Sequence, residues 1–211
     1  MDNVLILIFQ LIVLLFSVII HEIAHGAMAN HLGDPTAKNM GRLTLNPLKH
    51  LDPVGSLIVP LLVFIISRGS FIFGWAKPVL YNPYLLKNPQ SGAGLIGIAG
   101  PLANFVLAII FAVLLRLTPL LGSTGETLII FFNIIIFVNV LLAVFNLLPI
   151  PPLDGSKVLF AFLPEQANEI KILLERFGFF ILLLFIFFGF QLIMPIIYGI
   201  YHLIVGPFSL F

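Results

Sequence analysis

Four apolar stretches, each long enough to cross a bilayer, decide what this chain can fold into. They run from Val4 to Ala27, Gly92 to Leu115, Leu128 to Leu148 and Phe177 to Met194. Each is close to the ~20 residues that carry a helix through a ~30 Å hydrocarbon core. Only 9% of the residues are charged and 60% are hydrophobic, against about 25% charged in a soluble domain. That composition cannot cover a globule with polar surface, so the expected fold is an all-α polytopic membrane protein. The first stretch reads as a retained span, not a signal peptide. Asp2 stands where basic residues would be expected, and no A-x-A-like site follows. A net charge of +1 gives no footing for nucleic acid. With no cysteine in the chain, any metal must be held by nitrogen and oxygen ligands.

The loops between the stretches carry a charge asymmetry. Lys38, Arg42, Lys49, Arg68, Lys77, Lys87, Lys157, Lys171 and Arg176 lie between Met28 and Gly92 or between Pro149 and Phe177; of the 10 basic residues only Arg116 lies elsewhere. If 51–91 makes no net crossing, nine basic residues share one side. The positive-inside rule then makes that side cytoplasmic, with the N-terminus outside. The short apolar run from Val54 to Ser67 contains Pro60, so Val54 to Pro89 is read as a re-entrant hairpin or as two crossings. The tail from Pro195 to Phe211, punctuated by proline and glycine, returns partway or completes one more crossing. No internal repeat or soluble domain is visible, and 1–211 reads as one integral membrane domain.

Residues Gly41 to Lys49, GRLTLNPLK, have a different period. Leu43 and Leu45 alternate with Arg42, Thr44 and Asn46, the pattern of a half-exposed strand. FIFGWAKPV, Phe71 to Val79, is a weaker strand candidate broken by Gly74 and Pro78. A small β region at membrane depth is tolerated where protein or a wet cavity covers its edges.

The chemistry is concentrated in HEIAH, His21 to His25. On a helix the two histidines stand one turn apart on one face with Glu22 beside them. This is the H-E-x-x-H arrangement, in which two neutral imidazoles bind Zn²⁺ and the glutamate acts as general base. At a rise of ~1.5 Å per residue, His21 lies about 26 Å along the helix from Val4. That depth is near the inner boundary of the hydrocarbon, where ionisable groups are by default functional. A hydrolytic zinc site needs a third protein ligand and an open position. His31 follows His25 too closely if the helix continues. His50 and Asp52 lie in the loop after the strand candidate, Asp34 reads as part of a turn, and His202 lies in the tail. Asp154 remains, in NLLPIPPLDG. Pro149, Pro151 and Pro152 break the third apolar helix there. Broken backbone at membrane depth points to a protein-lined or wet cavity. The charge-derived topology brings that helix end to the same side as HEIAH. Asn146, which opens this stretch, either donates its amide to a developing oxyanion or satisfies the broken backbone. Gly92, Gly94, Gly97 and Gly100 are read as packing positions, and Asn104 as an interhelical hydrogen-bonding group.

These residues resemble the site-2 protease family, the M50-type intramembrane zinc metalloproteases. HEIAH matches its zinc motif, NLLPIPPLDG its second motif, and AGPLAN, Ala99 to Asn104, a looser third. GRLTLNPLKHLDPVG and GWAKPV look like small members that lack PDZ and CBS domains. The resemblance covers roughly Val4 to Phe162, with the C-terminal helices about 171–211 less diagnostic. It implies a three-helix catalytic core within about 4–162, with peripheral helices beyond. One Zn²⁺ per chain would be held by His21, His25 and Asp154, with water activated by Glu22. It also implies Asn146 near the tetrahedral intermediate, and a membrane-embedded strand region after the first helix.

The expected function is therefore intramembrane zinc endopeptidase activity on single-span or signal-peptide-like membrane proteins, in regulated intramembrane proteolysis. The expected setting is a prokaryotic cytoplasmic membrane, with the site toward the cytoplasm. A helical substrate must become extended to be cut, and Arg42, Leu43, Thr44, Leu45 and Asn46 are expected to receive it by β-addition. The runner-up reading is a membrane transporter or metal-binding protein that uses the same ligands for passage. That would need polar groups through the full depth of several helices, whereas Leu107 to Leu115 is uninterrupted and apolar. A serine-type intramembrane protease is weaker, because no G-x-S-x-G appears.

Overall fold

The computed structural model describes residues 3–52, 54–66 and 77–210. Its helices are α1 (Asn3–His31), α2 (Thr36–Asn39), α3 (Val59–Ile66), α4 (Pro89–Leu117), α5 (Ser123–Asn146), α6 (Asp154–Phe162), α7 (Asn168–Leu184) and α8 (Phe190–Val205). Among the described residues four helical runs are long and apolar enough to cross a membrane: Val4–His31, Pro89–Leu120, Leu128–Asn146 and Asn168–Phe208. Four such runs are the hallmark of a chain built to cross a membrane several times.

Side-chain size sets how the helices meet. On α1, Val13, Ser17, His21, His25 and Ala29 recur every fourth residue and are all buried, while Val4, Leu5, Leu7, Ile8 and Leu11 are exposed. A four-residue repeat keeps one stripe on one helix face, so the polar and small residues turn inward and the large apolar ones are left for lipid. On α4 the buried stripe is mostly small: Gly94, Gly97, Gly100, Asn104, Ala108 and Ala112. Small residues let backbones approach closely where no hydrophobic effect drives helices together. A Cβ at Gly94 would stand 2.5 Å from the Ala161 methyl, and one at Gly97 would stand 3.0 Å from the Asp154 carbonyl oxygen. These two glycines seat α6 against α4. Toward the opposite end, Ala108, Ala112, Leu115, Ile136, Val140, Ile197, Tyr201 and Val205 form the apolar core of α4, α5 and α8.

Helix α4 starts where its sequence says it should. Asn88 accepts from the Ser91 N–H, and Pro89 occupies the first turn, where its missing N–H costs nothing. Helix α5 ends at Asn146, and Leu147 to Leu153 turn back through the prolines. Gly155 sits against the end of α5, where a Cβ would lie 2.2 Å from the Leu147 carbonyl oxygen. Only glycine allows that approach, and it places Asp154 at the first turn of α6.

The last span differs from its expectation. The tail does not return or cross again. Helices α7 and α8 are joined by a π-helical turn, Phe185–Gly189, into one run. Gly178 packs on Pro151, at the α6 end of the bundle. Arg116, at the other end of α4, donates to the Ile204 carbonyl at 2.7 Å. The 26 steps from Gly178 to Ile204 cover about 39 Å at ~1.5 Å per residue, one bilayer with its interfaces. The apolar tail is thus the second half of the fourth span. Pro195 sits inside α8, tolerated because neighbouring helices can re-satisfy the freed backbone groups.

The expected strand is not formed. No strand occurs among the described residues, and 42–46 is irregular. Burial does not alternate along it: Arg42 is buried, Leu43 and Thr44 are half-buried, and Leu45 and Asn46 are exposed. The Arg42 guanidinium folds back to donate to the Lys49 carbonyl. His50 Nε2 donates to the Thr44 carbonyl, and Asn46 accepts from Leu48 N–H. These local bonds satisfy backbone groups that a ladder would have used. For the weaker strand candidate, Phe71 to Ala76 lie outside the described residues, and 77–79 are irregular. The helical run 54–66 spans about 20 Å at ~1.5 Å per residue, short of a crossing. His31 and Asn88 line a common pocket, so the end of α1 and the start of α4 lie at the same end of the bundle.

Candidate metal centre

His21, His25 and Asp154 converge at that end of the bundle, all buried, with one ligand atom from each within 4.8 Å of the others. His21 Nε2 and His25 Nε2 each lie 3.0 Å from the same oxygen, Asp154 Oδ2. The rings stand nearly perpendicular, at 89°, with centroids 4.6 Å apart. The far nitrogens are committed elsewhere. His25 Nδ1 donates to the Ile96 carbonyl at 2.6 Å, and His21 Nδ1 donates to Asn104 Oδ1 at 2.6 Å. A carbonyl can only accept, so the His25 proton must sit on Nδ1.

This protonation pattern leaves an Nε2 lone pair on each ring aimed at a carboxylate oxygen. Lone pairs aimed at one point repel unless positive charge lies among them. Two imidazolium rings so close together would repel each other in turn. A cation bound by two nitrogens and one oxygen resolves both conflicts. The donor set is that of a catalytic zinc site, with three protein ligands and a fourth position left for water or substrate. Spacings of 3.0 Å are close to the ~3.3 Å edge expected of a tetrahedron with ~2.0–2.1 Å bonds.

A cleft of about 160 Å³ opens beside these ligands, lined by Glu22, Pro78, Val79, Tyr81, Asn146, Pro152 and Lys157 among others. Glu22 Oε2 accepts from the Val79 N–H at 2.8 Å. That bond leaves its other oxygen free of this backbone contact. Asn146 Nδ2 donates to the Leu142 carbonyl at 3.0 Å, which uses one amide hydrogen and leaves one. Of the residues expected at the site, His21, Glu22, His25, Asn146 and Asp154 are together. Arg42, Leu43, Thr44, Leu45 and Asn46 do not line the cleft. One wall is the irregular segment 77–82 instead, through Pro78, Val79 and Tyr81. That segment is tied at three points: Lys77 N–H to the His50 carbonyl, Val79 N–H to Glu22, and Asn82 N–H to Asp34.

Asp34 holds the far end of this strap. Its carboxyl is shifted below the usual range: burial alone would raise it, but the Thr36 hydroxyl and the Asn82 and Thr36 amides outweigh that cost. Asp34→Ala would strand these donors at ~1–3 kcal/mol each. We expect chymotryptic cleavage after Tyr81 to accelerate in this variant; an unchanged rate would mean that Asp34 does not anchor the strap.

Two site residues were not expected from the sequence. Lys157 Nζ donates to Asp154 Oδ1 at 2.9 Å, which leaves Oδ2 for the histidines. Its place three residues into a helix that begins at Asp154 is a readable signal. Gly100 is the other. A Cβ there would stand 2.6 Å from His21 Cε1 and Nε2 and 2.6 Å from His25 Cε1. Both rings are pinned by their Nδ1 bonds and cannot swing away. Gly100→Ala should therefore weaken metal binding about 10-fold or more, comparable to disrupting the surroundings of a ligand, with helix content unchanged by circular dichroism. Metal titration of wild type beside the variant checks this.

Known proteins resemble this chain along most of its length. A profile of "Peptidase family M50" matches residues 122–185, which include Asn146 and Asp154. The chain is 40% identical over 182 residues to "Putative zinc metalloprotease YwhC" of Bacillus subtilis (strain 168), covering 83% of this chain and 78% of that protein. It is 34% identical over 170 residues to the similarly named Rip2 of Mycolicibacterium smegmatis, covering 79% of this chain and 62% of the relative. It is 39% identical over 106 residues to the similarly named MJ0611 of Methanocaldococcus jannaschii, about half of each chain. No solved structure matches. Helices of membrane length with such a site at one end define a membrane metalloprotease. The chain belongs to peptidase family M50.

Proposed function

We propose that this protein is an intramembrane zinc endopeptidase, holding one Zn²⁺ on His21, His25 and Asp154 and cutting membrane-spanning substrates near one face of the bilayer. The observation that carries the reading is the convergence of three buried ligand atoms beside Glu22, at the end of a helix of membrane length. Zinc bound there would polarise a scissile carbonyl and acidify a water. Glu22 takes the proton from that water and delivers it to the leaving amine. Its Oε2 is oriented by Val79 N–H, so the remaining oxygen is the one that handles the proton. The free hydrogen on the Asn146 amide is placed to donate to the oxyanion formed on attack. Pro78, Val79 and Tyr81 shield the cleft from one side, which strengthens electrostatic interactions within it.

Eight of the ten basic residues lie in the described parts of 32–88 and 149–176, the segments that adjoin the site end of the bundle; the others are Arg116 and Arg68, the latter outside the described residues. That supports a cytoplasmic site, an outside N-terminus and a prokaryotic cytoplasmic membrane. Substrates of this reading are single-span or signal-peptide-like proteins, cut in regulated intramembrane proteolysis. The test is reconstitution in liposomes with zinc and single-span peptides, with product termini read by mass spectrometry. Cuts within or at the edge of the span are expected. Cleavage confined to soluble peptides would overturn the intramembrane part of the reading.

A further inference from the structure

We infer that Asn104 is a positioning residue for the metal centre: with Asn139 and Ser17 it holds the His21 ring in the tautomer that frees Nε2. This rests on the reading of His21 as a metal ligand. The three residues lie at the contact of α1, α4 and α5 and are buried, with Asn104 0% and Asn139 1% exposed.

An amide can face either way, so the direction of each must be earned from its fixed partners. Asn139 Nδ2 donates to the Ile135 carbonyl at 2.9 Å and to Ser17 Oγ at 3.0 Å. The Ile135 carbonyl can only accept, which makes that end of Asn139 the nitrogen. Its Oδ1 then receives Asn104 Nδ2 at 2.8 Å. Asn104 Nδ2 also donates to the Ser17 carbonyl at 3.3 Å, again a group that only accepts. Asn104 Oδ1 is therefore the atom that faces His21 Nδ1 at 2.6 Å, and the His21 proton must sit on Nδ1. Two backbone carbonyls thus set a polarity that passes through two amides to a ring.

The setting has a chemical purpose because the alternative lies close by. Asp154 Oδ2 is 3.0 Å from His21 Nε2. A proton on Nε2 would bond that carboxylate and block both ligands at once. Asn104 offers the proton a place on the far side of the ring. Ile96 does the same for His25 through its backbone carbonyl, but a backbone acceptor cannot be removed by substitution. At His21 the task falls to a side chain, which makes it testable. The amide chain also joins α1, α4 and α5, so the helix contact that builds the site sets its protonation.

The experiment uses metal-free, full-length protein with ¹⁵N-labelled histidine, at a pH where the rings are neutral. His21 is assigned by comparison with a His21→Gln variant. Wild type should show His21 as the Nδ1–H tautomer. Asn104→Leu should move population to Nε2–H. In parallel, zinc affinity by chelator competition should fall about 10- to 100-fold in Asn104→Leu, the usual effect of removing such a partner. Asn104→Asp keeps an acceptor oxygen toward Nδ1 and should stay within about threefold of wild type. An Nε2–H tautomer in wild type overturns the inference without need of any variant. Equal loss of zinc in Asn104→Asp and Asn104→Leu also overturns it, since the acceptor would then not be what matters. A wild type that shows Nδ1–H yet binds no zinc would overturn the metal reading and leave the positioning role standing.

Discussion

Glu22→Gln should retain zinc and lose peptide hydrolysis by about 10²–10⁴-fold, the usual contribution of a general base. The substitution changes almost nothing else. Glu22 is not among the converging ligands, so the metal set stays whole. Its contact with the fold is the acceptance of Val79 N–H, and a glutamine carbonyl accepts that bond equally well. What glutamine cannot do is take a proton from water. Metal content and turnover should therefore separate cleanly, when measured by elemental analysis and by cleavage of a reconstituted single-span substrate. Retained cleavage would remove Glu22 from the chemistry. The variant also answers the transporter alternative, since metal passage would survive a change that leaves the ligands in place.

Asp154→Ala should do the opposite and strip the metal. Zinc on a full ligand set has an apparent binding free energy of ~10–16 kcal/mol, so losing one of four positions removes about 2.5–4 kcal/mol, on the order of 10²–10³ in affinity. The local charge adds to this. Lys157 Nζ now pairs with Asp154 Oδ1, and without the carboxylate its ammonium would face the site unneutralised. Hydrolysis should fall with metal content, and excess zinc should restore part of it. Normal zinc stoichiometry and affinity in folded Asp154→Ala would show that the third ligand lies elsewhere. Read with Glu22→Gln, the pair separates holding the metal from using it.

Much of the site was legible because its chemistry is rare in such a setting. Histidines and acids are scarce in this chain, with 5 and 9 respectively. An H-E-x-x-H pattern at the end of an apolar run therefore has few innocent explanations, and the search for a third ligand has few candidates. Helix breaking by Pro149, Pro151 and Pro152 marked where Asp154 would leave the helix of Asn146. Leu43 and Leu45 misled for a related reason. Over five residues a period of two is weak information, and Arg42 could bury its stem and guanidinium by reaching a carbonyl of its own loop. The tail misled because Pro195 reads as a stop, whereas neighbouring helices absorb its missing bond.

The sequence by itself determined the four apolar spans, and it singled out the residues we propose as metal ligands and base, three of which the structure brings together. These follow from local rules: length against bilayer thickness, one-turn spacing on a helix, and proline's missing donor. Tertiary structure decided the rest. That Gly100 must lack a side chain follows from two rings on α1 pressing on α4. That Lys157 reserves one oxygen of Asp154, and Asn104 one nitrogen of His21, follows from distances between elements far apart in sequence. A sequence shows which groups a chain owns. Which lone pair each group presents depends on what its other atoms touch, and those contacts exist only once the helices have packed.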